Sequence, residues 1–148
     1  MTATKVVGLG GSLREASRSR AALEVALDGA AGAGARVELL DLRRLEPPMY
    51  RPELEADVPE VVRTLLEACY GADGMLWSSP MYNGSVSGSF KNAIDWLHML
   101  GSREPSLLHD KVIGLISAAG GTQGMQVVNT MEFSVGRYAR GPCRTSYQ

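Results

Sequence analysis

Short apolar runs alternate along this chain with stretches of helical periodicity, and several of those runs end in glycine- or serine-rich turns. The first run, 5–10, reads KVVGLG. Two more, 74–78 (GMLWS) and 111–117 (KVIGLIS), are nearly all apolar, as strands buried on both faces are. Arg36 to Asp41 partly alternates apolar and polar residues, the pattern of a half-exposed edge strand. Between these runs, Leu23, Leu27 and Ala30 share one helix face, with Gly32 and Gly34 placed to end it. Val61, Val62, Leu65, Leu66 and Cys69 form a second face; Asp57 and Glu60 resemble a capping box that starts this helix near Val58 and runs it to Tyr70. Phe90, Ala93, Ile94, Leu97 and Leu100 make a third face, and Met125, Val128 and Met131 a fourth. A β-α-β-α-β-α-β-α order predicts a parallel sheet with right-handed crossovers and helices on both faces, so three layers.

In such sheets ligands bind beyond the carboxyl ends of the strands. Three polar or glycine-rich segments follow apolar strands, at 11–19, 78–85 and 117–124. In the first, Ser12, Ser17 and Ser19 lie between a strand and a helix, with Arg14 and Arg18 among them. A helix N-terminus with hydroxyl donors and a guanidinium can grip a phosphate monoester. The same residues read equally as a serine N-cap beside solvated arginines. In the second, Pro80 and Gly84 shape a turn, Tyr82 offers a π surface or hydroxyl, and Asn83 offers donor and acceptor to a heterocycle edge. Local backbone bonding explains those two side chains as well. In the third, Ser117, Ala118, Ala119 and Gly120 are small enough for a flat ligand to approach the backbone, or simply for a tight turn. Convergence of all three at one sheet end favours a shared site.

Composition narrows the function classes. The chain has 148 residues, enough for one domain over 1–148, and a net charge of -1 offers no field for nucleic acid. No apolar run approaches the roughly 20 residues that span a bilayer, and no signal-peptide core follows Met1. The two cysteines, Cys69 and Cys143, stand in no metal-ligand spacing, so a reduced, cytoplasmic protein without a metal is expected. Neither the dinucleotide fingerprint, since Leu13 stands where its third glycine belongs, nor a GxxxxGK[ST] loop nor a GxSxG elbow occurs. Lys91 and Asp95 are spaced for a surface ion pair, Trp96 for packing and possible subunit contact, and His98 and His109 for solvated or capping roles. No catalytic acid or base is assigned.

The segments GSLREASRS at 11–19, SPMYNGSVSGSFKNAIDWL at 79–97 and SAAGG at 117–121 resemble the NADPH-dependent FMN reductase family, which includes quinone, chromate and azo-dye reductases. The resemblance runs in order from about Lys5 to about Phe133. It implies a flavodoxin-like sheet of strand order 2-1-3-4, with FMN as cofactor and NADPH or NADH as co-substrate. The FMN phosphate would fall to Ser12, Arg14, Ser17 and Ser19. The flavin ring and ribityl chain would fall to Pro80, Met81, Tyr82 and Asn83, and the ring also to Ser117, Ala118, Ala119 and Gly120. Serine at 19 replaces the asparagine of many relatives, keeping a hydroxyl donor on a shorter arm.

The resemblance also implies a fifth strand and a final helix, yet 137–148 shows no apolar strand pattern. This end reads as truncated or altered. The fourth strand is then expected at an open edge with part of one sheet face bare, covered by a partner copy in a homodimer or homotetramer. Hydride would pass from NAD(P)H to flavin and electrons onward to a quinone, metal oxyanion, azo compound or free flavin. Two alternatives are a non-enzymatic flavodoxin-like electron carrier, against which the charge of -1 argues, and an inactive FMN-binding remnant.

Overall fold

The computed structural model describes residues 3–121, 123–138 and 144–147. Strand β1 (Lys5–Gly10) leads to helix α1 (Arg18–Gly32), strand β2 (Arg36–Asp41), the short α2 (Leu42–Leu45), a 3-10 turn over Pro52–Ala56, and α3 (Glu60–Tyr70). Then come β3 (Gly74–Tyr82), the two-residue β4 (Ser85–Val86), α4 (Gly88–Leu97), β5 (Val112–Ala118), α5 (Gly124–Tyr138) and β6 (Arg144–Tyr147). The sheet order is β2-β1-β3-β5-β6, and all four of those pairings are parallel; β4 hangs on β3 as an antiparallel hairpin.

The period of two along each strand sorts the core into two layers. Val7, Leu9, Met75, Trp77, Ile113 and Leu115 are fully buried in the main core with the apolar faces of α3, α4 and α5. Val6, Leu39, Leu76 and Ile116 belong to a smaller core under Leu23 and Leu27 of α1. Among the described helices only α1 covers that face. Among the described residues a groove of about 490 Å³ lies beside it, lined by Val6, Val25, Ala26, Leu76, Val112 and Gly114 among others.

Four expectations change. First, β5 is not an edge: Ile113, Gly114 and Leu115 stand opposite Thr145, Ser146 and Tyr147 of β6. An edge strand is held by its backbone ladder and needs no continuous apolar run, so 144–147 carries no apolar signal of a strand. Second, α3 begins at Glu60, with Pro59 as its cap and no side-chain cap bond. The Pro59 carbonyl accepts from Val62 and Arg63, and Asp57 is an exposed ion-pair partner of Arg63 at 3.7 Å, so no capping box forms. Third, Met125 is 60% exposed; Val127, Val128, Met131 and Val135 carry the buried face of α5. Fourth, β3 does not stop at Ser78. Ser79 and Pro80 remain in register with Ser117 and Ala118, and Met81 and Tyr82 pair with Val86 and Ser85.

The hairpin turn between β3 and β4 is Asn83-Gly84, with φ of +51° and +79°. Positive φ at both central positions matches the right-handed strand twist, and Asn-Gly tolerates it best. The dipeptide was the available signal for this hairpin.

Candidate active-site cleft

The carboxyl ends of β1, β3 and β5 stand side by side, and the segments that leave them enclose a cleft of about 350 Å³. Its walls are Ser12, Arg14, Ala16, Ser17, Arg18 and Ser19 from the first loop, Pro80, Met81 and Tyr82 from the end of β3, and Ala118, Ala119 and Gly120 after β5. Ten of the twelve residues expected at a site therefore meet in one place, and Ala16 and Arg18 join them. Asn83 and Ser117 do not line it. Asn83 takes the first central position of the hairpin turn. Ser117 Oγ would sit 3.7 Å from a Cβ placed on Gly124, which puts it under the first turn of α5; it is buried without a hydrogen-bond partner among the described residues.

The cap reading of the first loop is borne out. Ser17 caps α1, its Oγ accepting from the Arg20 N–H at 3.2 Å, and it shares a 3.0 Å hydrogen bond with Ser19 Oγ. Ser12 Oγ accepts from the Arg14 N–H at 3.3 Å. All three serines are buried. Arg14 and Arg18 are exposed, and among the described residues neither guanidinium has a hydrogen-bond or ion-pair partner. Two unpaired cations thus stand beside three hydroxyls at the positive end of a helix dipole. That donor set suits a dianionic phosphate. On the far side, Tyr82 is half exposed, and a Cβ added to Gly120 would meet no protein atom within 4 Å. A flat ring has room there. The residues present fit FMN.

Other candidate groups fall into structural roles. Lys91 pairs with Asp95 at 2.5 Å, and His109 lies 3.2 Å from Asp110. Trp96 is fully buried and donates its indole N–H to the Pro48 carbonyl at 2.8 Å. His98 Nε2 lies 3.1 Å from Glu55 Oε1. Burial pushes the Cys69 thiol up to about 12, so it is no nucleophile near neutral pH. Among the described residues no cluster of His, Cys, Asp or Glu can hold a metal ion, and no helix is long and apolar enough to cross a membrane.

The family model for NADPH-dependent FMN reductases matches residues 4–147. The chain belongs to that family. An NAD(P)H:quinone oxidoreductase of Solanum tuberosum is 39% identical over 126 residues, covering 81% of this chain and 61% of that protein. An NADPH azoreductase of Bacillus sp. (strain OY1-2) is 32% identical, covering 91% of this chain and 71% of that protein. The solved structure of FerB, a flavoenzyme NAD(P)H:(acceptor) oxidoreductase from Paracoccus denitrificans, superposes with a TM-score of 0.74 at 26% identity, over 98% of this chain and 75% of FerB. The chain spans about three fifths of the length of the quinone oxidoreductases it matches. For this FMN reductase family member, the cleft at the carboxyl ends of β1, β3 and β5 joins all three expected loops.

Proposed function

We propose that this chain is an NAD(P)H-dependent FMN oxidoreductase that reduces a small-molecule acceptor of the quinone, azo, metal-oxyanion or free-flavin class. The observation that carries the reading is the meeting of unpaired Arg14 and Arg18 with the Ser12, Ser17 and Ser19 hydroxyls opposite the open floor at Ala118–Gly120. Ser12, Ser17, Ser19, Arg14 and Arg18 would hold the phosphate. Pro80, Met81 and Tyr82 on one side and Ala118, Ala119 and Gly120 on the other would flank the ring. The chemistry that FMN supplies when bound is hydride acceptance from NADPH or NADH and electron delivery to the acceptor.

The chain's own part is binding and orientation. The capped N-terminus of α1 fixes the anionic end, while the small residues after β5 let the backbone approach the ring. No side chain is assigned a proton-transfer step. For a quinone the balance is two electrons and one proton from NADPH plus one proton from solvent, giving a quinol and NADP+. Cytoplasmic location, assembly as a homodimer or homotetramer, and independence of nucleic acid and membrane belong to the same proposal.

The test is direct. The purified protein is titrated with FMN while its visible spectrum is recorded, and NADPH and NADH oxidation is followed with a quinone. Expected are bound flavin and quinone-dependent turnover. Absence of flavin binding at saturating FMN would refute the reading; bound flavin that neither nucleotide reduces would favour an electron carrier.

A further inference from the structure

The phosphate pocket has a second set of residues, outside its walls, that acts on the backbone carbonyls of the loop. A cradle for an anion must present N–H groups and hydroxyls, and each carbonyl oxygen that turns inward repels the ligand. In segment 11–19 three carbonyls are each bound by a side chain that does not line the cleft. The Gly11 oxygen accepts from Ser87 Oγ and from Ser89 Oγ, the latter at 2.6 Å. The Ser19 oxygen accepts from Ser78 Oγ at 2.8 Å. The Glu15 oxygen accepts from Arg20 Nη2 at 2.7 Å.

Arg20 is the member of this set with no other evident task at the pocket. Its Nη1 reaches Asp41 Oδ2 at 3.4 Å, and its Nε lies 3.5 Å from Glu24. Asp41 is a buried carboxylate at the end of β2, where its other oxygen accepts from the Arg43 N–H at 3.1 Å and caps α2. Arg20 thus ties the outermost bend of the loop to the rigid end of a neighbouring strand. Its positive charge is already matched by Asp41 and Glu24, unlike the charges of Arg14 and Arg18.

We propose that Arg20, braced by Asp41, is a positioning residue of the phosphate pocket: it holds the Glu15 carbonyl so that this oxygen does not turn toward the phosphate. This rests on the FMN reading above. Arg20 itself touches no ligand.

The measurement is the affinity of the full chain for FMN and for riboflavin, which lacks the phosphate. Wild type is expected to prefer FMN. In Arg20→Gln that preference should fall about tenfold, the size of one charge-assisted hydrogen bond, through weaker FMN binding with riboflavin binding unchanged. Arg20→Lys keeps the charge but not the fork that spans Glu15 and Asp41, and should stay within about threefold of Arg20→Gln. Asp41→Asn, which weakens the brace and leaves Arg20 in place, should lower the preference by a smaller factor. Equal losses for both ligands would mean a merely structural role, and full recovery in Arg20→Lys would mean a through-space charge; either overturns the proposal. Wild type without a preference for FMN would sink the phosphate reading itself, a result distinct from the other two.

Discussion

Asn92 Oδ1 accepts the Tyr50 backbone N–H at 2.7 Å, across 42 residues of sequence. The same side chain donates to the Pro48 carbonyl at 3.0 Å and the Pro47 carbonyl at 3.3 Å. One buried amide on α4 therefore satisfies three backbone groups of a proline-rich segment that has little regular structure of its own. Tyr50 then packs edge-on against Trp96, with ring centroids 5.1 Å apart. The segment is irregular in backbone but fixed in place, and it walls a second cleft of about 430 Å³ with Leu13, Pro47, Met49 and Asn92.

Replacing Asn92 with Ala should cost about 2–3 kcal/mol, since buried backbone groups would lose their partners. Urea unfolding with an unchanged slope is the readout. A loss under about 0.5 kcal/mol, the range of ordinary surface changes, would show that water replaces the amide without penalty.

Glu55 receives the Tyr50 phenol and faces His98, and these two hydrogen bonds hold its carboxyl below the ordinary 4.5. A lowered folded value means stability that is present above 4.5 and is lost as pH falls through the depressed value. Melting temperature against pH should therefore drop more steeply below 4.5 in wild type than in Glu55→Gln, and the two curves should converge at the acid end. Parallel curves would rule the contribution out. At the alkaline end the Tyr50 phenol, raised from 10.0 chiefly by its bond to Glu55, adds stability that is present below 10.0 and lost as pH rises beyond its folded value.

Ser17 and the arginines should separate folding from binding. Ser17→Ala removes the cap of α1 and should lower stability by about 1 kcal/mol. The double change Arg14→Ala with Arg18→Ala removes exposed, unpaired charges and should leave stability within about 0.5 kcal/mol. It should still weaken FMN binding and flatten its dependence on ionic strength. Salt dependence identical to wild type would remove both arginines from the phosphate site.

Gly11 is required by close approach. A Cβ there would lie 2.6 Å from Phe90 Cβ and 3.1 Å from the Ser78 carbonyl, which accepts the Gly11 N–H at 2.8 Å. Phe90 is itself buried against Trp77. Gly11→Ala should cost about 1–3 kcal/mol by overpacking, read by denaturant unfolding. A neutral result would mean that α4 can shift outward without loss.

The central strands, the helix faces and the three converging loops could be read directly from residues. Val7, Leu9, Trp77 and Ile113 fix strands by apolar continuity, Leu23 and Leu27 fix a helix by spacing, and the rule for parallel sheets places 12–19, 80–82 and 118–120 at one end. Hydrophobic period is local information, and it was sufficient there. Asn83 and Ser117 stand outside the lining of the cleft, since motif membership does not say which way a side chain points. The first sits in a turn with two positive φ values, and strand alternation sent the second beneath α5.

Long-range backbone bonding had no local trace. Nothing in RTSY marks 144–147 as a strand except a partner already in the sheet, and nothing near Arg20 names the Glu15 carbonyl or Asp41 as its partners. The first loop shows the division most sharply. Its serines and arginines alone are compatible with a cap or a cradle; the tertiary structure makes Ser17 the cap and leaves Arg14 and Arg18 unpaired at the cleft. The reason is physical. Residue type determines which bonds a group is able to make, but its state at a site depends on which of those bonds the folded surroundings have already satisfied.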